Sequence, residues 1–394
     1  MLHRRLWGQR PKTLLSAQTR YLSQIDATST RRLNLPINFG TTPLLHHTRE
    51  SLLKAPGLPG DGPSRRLNLF QSVNSALQTA LAASNRVLCF GEDVAFGGVF
   101  RCTSGLQEEF GSKRVFNTPL TEQGIVGTAI GAAAEGMKPV VEIQFADYVF
   151  PAFDQIVNEA CKFRYREGMT GGNLGGMVIR MPTGGVGHGA LYVFPTDGDR
   201  KNTDSSQTGF VVVVPRSPSQ AKGLLLSAIL ESKDPVIFME PKILYRAAVE
   251  EVPDGLYTLP LRSAEVVKSG ADLTIISYGR PLYTCANAIE LVEKDCPGVS
   301  IEMIDLRTIF PWDRETVIKS VMKTGRAIVV HESMINFGVG AEVAATIQEA
   351  AFPYLKSPIK RIAGWTTHTG LSYEKYIFPD VARVYDAILE SLEY

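Results

Sequence analysis

Several signatures are missing, and each absence removes a class. The five cysteines, at 89, 102, 161, 285 and 296, include no pair at metal-ligand spacing. An odd count with long gaps argues against a disulfide framework and for a reducing compartment. The six histidines scatter and no HExxH occurs, so no structural zinc is predicted. No uninterrupted apolar run approaches the roughly 18 residues a membrane-spanning helix needs. A formal net charge of +1 provides no global field for nucleic acid or a membrane surface. A phosphate loop of the GxxxxGK[ST] type is also missing. The nearest approach to a dinucleotide fingerprint, GVGAEV at 338–343, lacks its third glycine. If the protein uses a phosphate-bearing cofactor, this chain does not obviously hold the phosphates.

What is present is enough apolar residue, 44% of 394, to build two cores. From Met1 to Ile25 the chain carries Arg4, Arg5, Arg10, Lys12 and Arg20 among apolar residues, and its first acid is Asp26. Basic, acid-free and without a compact apolar centre, this reads as a mitochondrial transit peptide, cut between about residues 20 and 50. Residues 1–50 are assigned to that peptide and a flexible N-terminus. Residues 26–66, ending in PGLPGDGPSRR, have linker composition.

Packed structure is predicted from Leu69. Leu69, Val73, Ala76, Leu77, Ala80 and Leu81 share one helical face, and a short buried strand follows at 87–90. Further strands are predicted at 140–145, 177–179, 211–214 and 236–239, with helices at 153–165 and 219–230. Strand, helix, strand at these gaps is the signature of a mainly parallel sheet. A crossover at 246–260 separates this first domain, 67–245, from a second at 261–394. The second has strands predicted near 273, 300, 327 and 361 and helices at 282–294, 314–324, 338–351 and 381–392. The fold class is α/β: two three-layer α/β domains with mainly parallel sheets.

Functional chemistry concentrates between Phe116 and Arg166. Glu122 heads a helix whose small residues, Gly124, Gly127, Ala129, Gly131 and Ala132–Ala134, let a backbone or a cofactor approach closely. Gln144 and Tyr148 stand where the following strand ends, with Glu142 and Asp147 beside them. An acid there can exchange a proton with a heterocycle nitrogen, and an amide and a phenol can position a polar ring. A favourable first-turn carboxylate and satisfied core residues are the plainer readings. Phe96 and Phe100, flanking Gly97 and Gly98, read as apolar walls or simple packing. His188, in the glycine-rich tract GGVGHGALY, reads as a proton shuttle or a loop fastener. His331 and Glu332 end a second-domain strand, where function and a partner contact are equal readings, and Arg307 and Trp312 read as interface anchors.

The runs TEQGIVGTAIGAA from 121, EIQFADYVFPAFDQIVNEACKFRYR from 142, PRSPSQAKGLLL from 215, EPKILYRAA from 240 and IDLRTIFPWD from 304 carry a resemblance. Over roughly 67–390 the chain resembles the beta subunits of 2-oxoacid dehydrogenase E1 components, the branched-chain type more than the pyruvate type. The resemblance implies the pyrimidine-binding and C-terminal domains of transketolase-like thiamine-diphosphate enzymes. It implies a mitochondrial-matrix heterotetramer of two alpha and two beta subunits that decarboxylates branched-chain 2-oxoacids and passes the acyl group to lipoyl-bearing E2. Alpha would hold the diphosphate and magnesium, and potassium would sit in beta near the 170s and the 220s to 230s. Glu122 matches the family acid that pairs with the pyrimidine nitrogen, Leu120, Gln144 and Tyr148 match its neighbours, and His188 is the second candidate catalytic residue.

The chain also departs from that family. The family follows Gly-His-Gly-Ala-Leu-Tyr with His-Ser-Gln, and that histidine serves acyl transfer. Here Tyr192 is followed by Val193, Phe194 and Pro195, then by hydrophilic residues to Gly209. A misread exon boundary, a variant compensated by His188 or by alpha, and a weakly active or regulatory subunit are the open readings. WTTHTG at 365–370 departs from the family loop as well.

Overall fold

The computed structural model describes residues 37–40, 42–184, 209–367 and 373–394. In chain order the strands are β1 (Ser64–Asn68), β2 (Val87–Gly91), β3 (Val115–Asn117), β4 (Lys138–Glu142), β5 (Val178–Thr183), β6 (Val211–Val213) and β7 (Val236–Pro241). They continue with β8 (Val249–Pro253), β9 (Glu265–Lys268), β10 (Leu273–Ser277), β11 (Ile301–Asp305), β12 (Thr308–Phe310), β13 (Ala327–Met334) and β14 (Lys360–Gly364). One sheet has the order β12-β6-β7-β5-β4-β2-β3, a second has β14-β13-β10-β11-β9, and β1 pairs with β8 alone. The first sheet is parallel except for β12, and the second except for β9.

Parallel strands need cover on both faces, which is why β5, β7, β10 and β11 are buried along their whole length rather than alternating. On one face of the first sheet lies the helix Leu69–Ala83. Asn68 starts it with a capping box: its side chain accepts from the Gln71 N–H, and the Gln71 side chain accepts from the Asn68 N–H, both at 3.0 Å. Its six predicted inward residues are all buried, and it packs on the helix Pro218–Leu230.

Three features differ from the sequence-based expectation. Residues 42–66 form a structured arm rather than a linker, with a short helix at Arg49–Leu52 and β1. The helix expected at 153–165 is present and runs on to Thr170, but its first part is π rather than α. A 3-10 turn spans Ala146–Ala152, a π turn spans Gln155–Ala160, and a regular α-helix runs only from Cys161 to Thr170. Pro151 lies in the first of these turns, and without an N–H it cannot take part in a regular ladder. Finally, β12 leaves the second domain and adds to the edge of the first sheet.

That crossing ties the two halves. Arg216 donates to Asp305 and Glu265, both at 2.6 Å, and Gln220 adds a bond to Asp305 at 2.9 Å. Arg262 pairs with Asp234, and the Arg307 carbonyl accepts from the Val214 N–H at 2.8 Å. Arg307 and Trp312, expected as interface anchors, are engaged within the chain: Arg307 pairs with Glu265 and Trp312 is buried.

Candidate functional site

Strands β2, β3 and β4 run parallel as neighbours, so their carboxyl ends open on one edge of the sheet, where open α/β sheets place ligands. Glu92 and Asp93 leave β2, Asn117 to Thr121 leave β3, and Gln144 to Tyr148 leave β4. Glu122 stands in the first turn of the helix Glu122–Ala134, where Thr121 accepts from the Gly124 N–H. Its carboxylate is half-buried.

Behind Glu122 lies an acid that sequence reasoning did not assign. Glu92 is buried, its Oε1 has no hydrogen-bond partner, and burial, then the neighbouring Glu122 and Asp93 carboxylates, push its carboxyl above the usual carboxylate range. The signal was available as a Gly-Glu-Asp run directly after a buried strand. Asp93 adopts a left-handed backbone at φ 57° and accepts from Gln144 Nε2 at 3.3 Å. Glu122, Glu92, Asp93 and Gln144 therefore form one polar group.

Leu120 and Tyr148 border it, 84% and 50% exposed. Tyr148 packs edge-on against Phe145 at 5.5 Å, and Phe145 against Phe100, also at 5.5 Å. Phe100 is thus packing, whereas Phe96 is exposed. Glu142 does not face the site. It is buried against Arg180 Nη1 at 2.8 Å, while Glu240 takes Arg180 Nε at 2.7 Å and Nη2 at 2.9 Å, and the Tyr245 hydroxyl at 2.6 Å. This fully buried triad supports the site from beneath. A Cβ on Gly98, at φ +71°, would meet the Glu142 carboxylate at 2.9 Å, so the glycine turn rests on it.

The small residues of the Glu122 helix are placed differently from the expectation of tight packing. Its inner face is Ile125, Val126, Ala129 and Ala133, all buried. Gly124, Gly127 and Gly131 are exposed on the outer face, and nothing lies within 4 Å of a Cβ built at Gly131.

His188 and Val193 lie outside the described residues, as does the His-containing part of 365–370. Gly184, at the end of β5, sits against Glu332, 3.1 Å from a built Cβ. His331 is a core group: its Nδ1 meets the Ser333 hydroxyl at 2.8 Å, Gly340 packs on its Nε2, and burial pulls its pKa down to about 4. Glu332 pairs with Arg280 at 2.5 Å. Among the described residues no group of three or more His, Cys, Asp or Glu could hold a metal ion. Where potassium was expected, Gly176 N–H donates to the Ser232 carbonyl at 3.0 Å, and Lys138 Nζ donates to the Ile229 and Leu230 carbonyls at 3.0 and 2.8 Å.

Family models described as "Transketolase, pyrimidine binding domain" and "Transketolase, C-terminal domain" match residues 65–191 and 262–384. In fold, the chain is similar to a "split gene transketolase, inactive beta4 tetramer", with a TM-score of 0.63 at 21% identity over 83% of this chain and 98% of the other. The class is therefore a transketolase-type pair of α/β domains. Within it, the chain is 61% identical over 358 residues to the "2-oxoisovalerate dehydrogenase subunit beta, mitochondrial" of Chaetomium thermophilum, covering 89% of this chain and 75% of that protein. It is 50% identical to the protein of the same name in Dictyostelium discoideum, covering 84% and 88%. It is 43% identical to "Pyruvate dehydrogenase E1 component subunit beta" of Staphylococcus aureus, covering 84% and 99%. The chain belongs to the family of mitochondrial 2-oxoisovalerate dehydrogenase beta subunits.

Proposed function

We propose that this chain is the beta subunit of a branched-chain 2-oxoacid dehydrogenase E1 and supplies the pyrimidine half of a thiamine-diphosphate site. The observation that carries the reading is the pairing of half-buried Glu122 with buried Glu92, whose Oε1 has no partner, between Gln144 and the exposed Leu120 and Tyr148. Such a set fits an amino-substituted heterocycle: acids for its nitrogens, an amide for its edge, and an apolar and a phenolic surface for its face. The chain carries no phosphate loop of the GxxxxGK[ST] type, in keeping with a diphosphate held elsewhere. The alpha subunit would hold that part with magnesium, in a heterotetramer that serves E2, and potassium would bind in beta.

When bound, the cofactor supplies the carbanion-stabilising chemistry of decarboxylation. Glu122 would hold the proton at the ring nitrogen. Glu92, kept neutral more readily by burial and by two neighbouring carboxylates, can donate to Glu122 rather than repel it. Gln144, tied to Asp93, would fix the ring edge, and Leu120 and Tyr148 would exclude water from its face. His188 is the second candidate catalytic residue, distinct from the acyl-transfer histidine that the family carries after the tyrosine matched by Tyr192.

Carbon dioxide release from the chain reconstituted with alpha, using 2-oxoisovalerate against pyruvate, tests the reading. Preference for pyruvate would move it to the pyruvate type. A second reading, a catalytically impaired assembly subunit, is motivated by Val193, which has no group able to move a proton. Sequencing the transcript across Tyr192 to Val214 separates the two. His-Ser-Gln after Tyr192 would remove the reason for the impaired reading, and Val-Phe-Pro would leave the turnover assay to decide.

A further inference from the structure

The arm ahead of the first domain is gripped by both domains at once. Leu45 and Leu52 are 1% and 0% exposed, and Leu45 belongs to the main core. Toward the first domain, His47 N–H donates to Glu250 Oε2 at 2.7 Å, and the other Glu250 oxygen accepts from Ser219 N–H at 2.6 Å. The His47 carbonyl accepts from Glu251 N–H at 2.9 Å. Toward the second domain, His46 Nε2 lies 2.7 Å from the Tyr283 hydroxyl. That hydroxyl donates to the Arg216 carbonyl at 2.9 Å, so His46 is the donor to Tyr283. Phe39 packs on the same tyrosine at 5.3 Å, and Arg280 lies 5.8 Å from the Phe39 ring.

We infer that presequence removal cuts this chain between Arg20 and Ile37, and that everything from Ile37 onward persists in the mature subunit as a strap fastening the second domain to the first. The inference rests on the mitochondrial reading and narrows it. A start after Ile37 would strip Ile37 and then Phe39 from the core they pack on, and a start at residue 48 would also open a core cavity at Leu45, take the His46 donor from Tyr283 and leave one Glu250 oxygen without its partner, losses a folded subunit does not absorb freely.

The test is import of the full chain into isolated mitochondria, followed by N-terminal sequencing and intact mass of the processed product. A first residue between 21 and 37 supports the inference, and any later start overturns it while leaving targeting intact. Failure of import or of cleavage overturns both. In parallel, chains starting at residues 37 and 48 are co-expressed with alpha and melted. The longer should match the processed subunit, and the shorter should unfold at least about 5 °C lower. If the shorter chain does not fold, Leu45→Ala in the full arm should lower the melting temperature by about 4–8 °C. Melting of the shorter chain or of Leu45→Ala unchanged from the longer chain overturns the strap.

Discussion

Replacing Arg180 by Met should destabilise the subunit in a way that acid reverses. Arg180 is 1% exposed and neutralises two carboxylates, Glu142 at 3% and Glu240 at 0% exposure. Methionine fills much of the same volume but leaves both acids in the core without their cation. Breaking a buried pair costs about 3–5 kcal/mol. Two acids lose the same cation here, but Glu240 keeps the Tyr245 hydroxyl, so about 4 kcal/mol is the working figure. For a chain of this size that corresponds to a fall in melting temperature of roughly 8 °C. The sign with pH follows from Glu142, whose carboxyl burial already holds above the usual range against the pull of Arg180. Without that pull the native state binds protons more readily than the unfolded one, so stability falls as pH rises and recovers on acidification. Thermal unfolding of the alpha–beta complex at pH 7.5 and 5.5 reads both effects. A drop below about 2 °C at pH 7.5, or an equal drop at both pH values, would refute the assignment of the triad as a charge-balanced support. Leucine at both acid positions, together with Arg180→Met, should recover most of the loss.

Three further outcomes follow from the same geometry. Glu122→Gln should leave folding intact and cut carbon dioxide release by at least about 100-fold in the reconstituted enzyme; turnover within a few-fold of wild type would remove Glu122 from the chemistry. Glu92→Gln should be no less stable than wild type at pH 7.5. The native carboxyl titrates above its unfolded value, so its contribution is present at low pH and lost as pH rises through the native pKa, a loss the amide does not suffer. Burial lowers His331 from 6.5 to about 4, so its contribution is present above pH 6.5 and lost as pH falls through 4. Urea unfolding across that window should show a loss of about 3 kcal/mol that His331→Asn flattens.

Much of the architecture is legible because it rests on local rules. The short, mostly apolar runs of β5, β7, β10 and β11 announce two-sided burial, and Asn68 with Gln71 announces a helix start. What the sequence hides is carried by short or polar segments whose partners are distant. Strand β1 reads SRRLN and pairs with VEEVP in β8, 185 residues away from Ser64 to Val249 by numbering, so both look like solvated linker until they meet. Three residues of β12 carry too little pattern to reveal that they join the other domain's sheet. The arm is obscured in the same way: its composition is loose, and Glu250, Tyr283 and the core that takes Leu45 explain why it is held.

The candidate site is legible to the same degree and for a related reason. Glu122, Gln144 and Tyr148 stand near strand ends that periodicity locates; Glu92 stands at one too, but its coupling to Glu122 shows only when β2 and the Glu122 helix are brought together. What the single chain leaves exposed is then informative. Leu120 at 84% exposure, and a helix face of Gly124, Gly127 and Gly131 open to solvent, are inefficient for a finished pocket. They are efficient for half of one, because glycine faces admit a second backbone closely and Leu120 gains burial only when a neighbour arrives. The proposed alpha subunit is that neighbour, and Leu120→Ser should therefore weaken the loaded complex while leaving the melting of the isolated beta chain unchanged.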